Sequence, residues 1–146
     1  MSRTVAIVSA LAGGCLIALQ PPANASLSKL VGDFGAAFVS ITISFVVIAL
    51  LLLVVGHPGR LSGLGAFRPE HAIGGVGGAA IVTIGLVAVR PLGAGALIAL
   101  LVGSQLVVSV VVDRFGWFGV EHVGLSAARL AGIVLVIAGT VLVTAR

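Results

Sequence analysis

The sequence predicts an all-α integral membrane protein with five transmembrane helices, and three observations carry that prediction. Of 146 residues, 60% are hydrophobic and only 8% are charged, whereas a soluble domain uses about 25% charged residues to wet its surface. Mean hydropathy is +1.32, so the natural solvent of this chain is a bilayer. Five apolar stretches, each near the length that crosses a hydrocarbon core of about 30 Å as a helix, are separated by every cluster of charge in the chain. Only helices and closed barrels satisfy their backbone in lipid, and none of the stretches has a barrel strand's strict alternation.

The first stretch, residues 4–20, ends at Pro21-Pro22. Neither proline has an N–H to donate, so a break in the helix is expected there. Arg3, the apolar run from Val5 to Leu19 and the small residues Ala23-Asn24-Ala25 also imitate a cleavable secretory signal. A first transmembrane helix with short flanks has the same pattern and is the preferred reading. The second stretch, 34–55, stops at Gly56-His57-Pro58-Gly59, and the third, 72–89, closes at Arg90-Pro91. The fourth, 92–112, carries no charge, and the fifth covers 126–145. Pro69 and Pro91 stand near helix starts, where a missing N–H costs little. Residues 1–146 thus read as a single membrane domain.

Small residues are expected to pack the helices. Gly74, Gly78 and Gly85 share one side of the third helix, and Gly132 and Gly139 share one side of the fifth. Such stripes let backbones approach where lipid supplies no hydrophobic drive for association. Orientation follows the cations. With five crossings, Arg3, Arg60, Arg68, Arg114 and Arg129 fall on one side and Lys29, Arg90 and Arg146 on the other. Five against three is a weak bias toward a cytoplasmic N-terminus, weak enough for insertion both ways or for pairing with an inverted partner.

Several function classes drop out. The net charge of +4 comes from scattered residues, so no nucleic-acid partner is expected. Cys15 is the single cysteine, and His57, His71, Glu121 and His122 lack metal-ligand spacing, so no metal or cofactor is expected. Residues 75–80 fit a dinucleotide-type G-x-G-x-x-A, but no strand precedes them and they lie inside a span. Neither H-E-x-x-H nor G-x-S-x-G occurs. An aspartic dyad of Asp33 and Asp113 has only the glycine before Asp33 in its favour, so the chain is not expected to be an enzyme.

Polar residues inside the apolar stretches are the candidates for function. Gln105, Ser109 and Asp113 recur every fourth residue, one line along the fourth helix that must face protein or a watery cavity. A buried glutamine offers one acceptor and two donors, suited to a polar ligand or to an amide across an interface. Asp113, at its span's end, is a candidate for proton coupling, and an ion pair explains it equally well. Arg129 could supply that pair, could bond Glu121 instead, or could snorkel. On the second helix Asp33, Ala37, Ser40 and Ser44 share a face. Capping competes with coupling for Asp33, and bonds to carbonyls one turn back compete with solute for the two serines. On the first helix Gln20 lines up with Ser9 and Gly13, and Asn24 would follow if the helix passed the prolines. A solute site near a broken helix competes there with an interfacial glutamine and a capping asparagine.

Larger pieces of the sequence resemble a known family. Ala12-Gly13-Gly14 with Ala18-Leu19-Gln20 and Asn24, Gly74 to Ala79 with Pro91-Leu92-Gly93-Ala94, Gly103-Ser104-Gln105-Leu106, Asp113 to Gly119, and Arg129-Leu130-Ala131-Gly132 together resemble the YdcZ-like family. This is the five-helix branch of the drug/metabolite transporter superfamily. Ser104 stands where the family usually has glycine, and Arg114 where it has histidine. The resemblance implies half of a ten-helix inverted-repeat architecture, completed as an antiparallel homodimer or as a heterodimer with a five-helix paralogue. It implies a half-transporter in the bacterial inner membrane and names no substrate; the polar faces add the expectation of a secondary carrier or exporter of a small polar or amphipathic metabolite, working by alternating access. Gln20, Asn24, Ser40, Ser44, Gln105 and Ser109 would then line the path, with Asp113 and Asp33 as coupling candidates. Related small multidrug carriers use a first-helix glutamate, and no acid lies between Arg3 and Lys29, so that mechanism does not carry over. The alternative is a non-transporting membrane subunit whose polar face binds a partner chain.

Overall fold

The computed structural model describes residues 2–145. Among them, five helices are long and apolar enough to cross a membrane. They are α1 (Arg3–Val31), α2 (Asp33–Val54), α3 (Ala72–Leu92), α4 (Ala94–Phe115) and α5 (Ala127–Thr144). The chain divides into two compact units, Met1–Arg90 and Pro91–Arg146.

In the first unit the Ser2 hydroxyl starts α1 by accepting the Val5 N–H at 3.3 Å. The expected break at Pro21-Pro22 does not occur, and α1 continues for 29 residues with both prolines inside it. Interior proline costs about 3 kcal/mol in water, but a broken helix in lipid would strand more backbone groups than the two that proline removes. Neighbouring structure accommodates the rings. Pro21 is buried and lies against Gly85 of α3, where an added Cβ would sit 3.5 Å from the Pro21 ring.

A single residue joins α1 to α2. Gly32 has φ 76° and ψ 168°, a conformation essentially restricted to glycine. Its N–H closes α1 on the Ser28 carbonyl at 2.8 Å, and its carbonyl opens α2 by accepting the Ala36 N–H at 2.9 Å. Beyond this joint Ala36 and Ala37 of α2 pack with Val82 and Leu86 of α3 and with Leu27 of α1. Leu86 is fully buried, and the small alanines let the helices approach it. Between α2 and α3 the chain forms 3-10 turns over Pro58–Ala66 and Pro69–His71.

In the second unit α4 ends at Gly116, left-handed at φ 62°, whose N–H reaches the Val112 carbonyl. A 3-10 turn over Trp117–Gly119 follows. Ser126 caps α5 by accepting the Arg129 N–H at 3.2 Å. The two helices meet closely at Gly103, where an added Cβ would fall 3.0 Å from Thr140 Oγ1. That oxygen lies 3.1 Å from the Ala99 carbonyl of α4 and 2.9 Å from the Val136 carbonyl of its own helix. Its proton can therefore serve a bond between helices, which lipid cannot replace.

Candidate functional site

Because α1 stays helical, Gln20, Asn24 and Ser28 fall at four-residue intervals along one face of it, spanning about 12 Å. Each meets a polar group or an open space. The Asn24 amide Nδ2 donates to Ser40 Oγ of α2 at 3.2 Å, and Asn24 is only 8% exposed. The Ser44 hydroxyl donates to the Ser40 carbonyl at 3.0 Å. Ser28 donates to the Ala25 carbonyl at 2.8 Å and accepts from Arg90 Nη2 at 2.6 Å. The same guanidinium pairs with Asp33, Nη1 donating to Oδ2 at 3.2 Å. A polar seam thus runs between α1 and α2 and ends in an ion pair contributed by α3.

At the other end of this seam lies an open-sided groove of about 310 Å³. Gln20 and Ser44 supply its polar groups, Ile41 and Val82 its apolar wall, and Gly74, Gly75 and Gly78 of α3 its bare backbone. Four of the predicted path residues, Gln20, Asn24, Ser40 and Ser44, therefore come together in one unit. Asp33 sits in the first turn of α2, where its charge suits the helix dipole, but Gly32 is the N-cap and no side chain caps the helix; Asp33 is ion-paired with Arg90 instead. Ser28 and Arg90 belong to the same seam although sequence reasoning passed them over. Ser28 was detectable as the next step of the four-residue series, but Arg90 is 57 residues from Asp33 and carried no local signal.

The second unit treats its polar residues differently. Ser104, Gln105, Val108 and Ser109 line a shallow depression of about 300 Å³ along α4. Gln105 and Ser109 are exposed, and the Gln105 amide has no hydrogen-bond partner among the described residues. Asp113, on the same line, instead pairs with Arg129 of α5, the side chains being 23% and 29% exposed. Of the roles open to Arg129, the structure selects the bond to Asp113. Arg129 Nη1 is buried without a hydrogen-bond partner among the described residues.

Of the glycines expected to pack helices, Gly85 touches Pro21, whereas a Cβ at Gly74, Gly78, Gly132 or Gly139 would meet nothing within 4 Å. The close approach of α4 and α5 at Gly103 was not among those singled out. Cys15 is exposed on α1. Among the described residues no group of three or more His, Cys, Asp or Glu comes together as a metal site would require.

A family model described as "Putative inner membrane exporter, YdcZ" matches residues 5–142. No curated protein and no solved structure matches the chain. The matched region overlaps all five apolar helices, as expected of a multi-pass inner membrane protein. An exporter family also points to a transporter rather than an enzyme. On its sequence and its five helices, the chain belongs to the YdcZ family.

Proposed function

We propose that the protein is a secondary carrier exporting a small polar or amphipathic solute, built as a half-transporter that works as an antiparallel dimer by alternating access. The observation that carries this reading is the groove between Gln20, Ser44 and the glycine face of α3, continued by the part-buried Asn24–Ser40 bond. Amides and hydroxyls at this depth are expensive in lipid and are retained where they meet protein or a solute path. Bare glycine backbone beside them offers carbonyls and room without adding bulk. Gln105 and Ser109 supply a second polar face, and an inverted copy would give it something to meet. The weak charge bias of five cations against three supports insertion in both orientations. Gly132 and Gly139, open in the single chain, would serve close packing against the other half. Asp113 and Asp33, each held by an arginine, are the groups through which protons would couple to movement.

Flux of labelled small polar metabolites into proteoliposomes tests the reading. Gln105→Leu is expected to abolish flux while Ser62→Ala, in the exposed connection between α2 and α3, leaves it intact. Equal loss in correctly inserted protein would overturn the path. Reporters on the termini should show both orientations, or one orientation together with an inverted paralogue. A single orientation with no partner would overturn the antiparallel arrangement. Solute binding lost with the dimer retained would separate the carrier from a scaffold.

A further inference from the structure

Every residue of the connection between α2 and α3, from His57 to His71, is exposed. Its order comes from the 3-10 winding of Pro58–Ala66. Three residues per turn bring positions i and i+3 into register, so Leu61 and Leu64 stack on one ridge, with Phe67 next in the series. The same three residues in an α-helix would drift around the axis. All three are exposed, at 50%, 61% and 54%. Arg60 stands beside the ridge, and its guanidinium has no carboxylate in ion-pair range among the described residues. Arg68 closes the segment, in a loose 3.6 Å contact with Glu70.

Between these groups is a hollow of about 360 Å³ walled by Leu61, Leu64, Phe67, Arg60 and His71. His71 Nδ1 accepts the Arg68 backbone N–H at 3.1 Å, which leaves Nε2 as the donor nitrogen of the neutral ring. Phe67 meets the His71 ring edge-on with centroids 5.5 Å apart. The hollow thus joins an unneutralised cation and a ring N–H to an apolar wall. Both ends of the segment are tethered where spans finish, because Leu53, Val54 and Val55 before it are exposed and apolar and α3 begins at Ala72.

We infer that residues 57–71 lie in the headgroup layer and bind an anionic phospholipid, Arg60 meeting the phosphate and the Leu61–Leu64–Phe67 ridge meeting the start of the acyl chains. Cationic side chains with apolar neighbours settle at this boundary, and each arginine near an anionic surface gains about fivefold in binding, or about 1 kcal/mol. A soluble protein partner would find the ridge already at the acyl boundary.

The test uses the full chain carrying Phe67→Trp and Trp117→Phe, which leaves one indole in the segment. The protein is reconstituted in phosphatidylcholine bilayers containing brominated phosphatidylglycerol or, in a parallel set, brominated phosphatidylcholine. Both lipids should quench the indole, the glycerol lipid at severalfold lower mole fraction. Arg60→Gln should reduce that preference about fivefold, and Ser62→Ala should leave it unchanged. Absence of quenching by either lipid would place the segment in water or under a protein partner and overturn the inference. Equal quenching by the two lipids, or a preference untouched by Arg60→Gln, would overturn the anionic site.

Discussion

The two units of this chain solve the same problem in opposite ways. In Met1–Arg90 the polar groups of the spans find one another, Asn24 with Ser40 and Arg90 with Ser28 and Asp33, leaving a groove where the seam opens. In Pro91–Arg146 the helices are joined by Thr140 and by Asp113–Arg129, while the Gln105 amide faces outward with no partner among the described residues. A satisfied polar seam holds its own helices together. An unsatisfied amide on a span requires something beyond its own unit. The first unit thus combines a self-satisfied seam with an open groove, and the second leaves its amide line without a partner among the described residues.

That contrast can be broken by substitution. Gln105→Leu should have the largest effect on function and little on folding, measured as flux lost at an unchanged melting temperature. Asp113→Asn should have the largest effect on folding. It strands Arg129, and removing one partner of a buried pair costs about 3–5 kcal/mol, here reduced by partial exposure to about 2 kcal/mol. A fall in folded yield and melting temperature in detergent checks it. Gly103→Leu should force α4 and α5 apart at a cost of about 1–3 kcal/mol, whereas Gly85→Ala, with its Cβ at ordinary contact distance from Pro21, should be near neutral. Asn24→Ala removes one hydrogen bond between helices and should cost about 0.6 kcal/mol. A larger loss would show that the seam acts cooperatively.

The five spans were legible because lipid imposes one rule on every residue, and composition alone reveals it. Local rules failed where tertiary neighbours overrode them. Pro21-Pro22 reads as a stop in isolation, yet Gly85 gives the first ring a place and α1 continues. The Asp33–Arg90 pair was hidden by sequence separation, and Asp33 looked complete as a cap. The ridge of the α2–α3 connection was invisible because its apolar residues match neither the α nor the β period, only a turn of three. The Gly103–Thr140 approach escaped notice because a lone glycine in an apolar run resembles any other.

Gly32 has a mechanical consequence. A joint of one residue, held from both sides by helical hydrogen bonds, gives α1 and α2 no slack to slide past each other. When one tilts, the other follows as the second arm of the same lever. The Asn24–Ser40 rung is kept in place in any such tilt, and the freedom left within this unit lies in the longer connection that leads into α3.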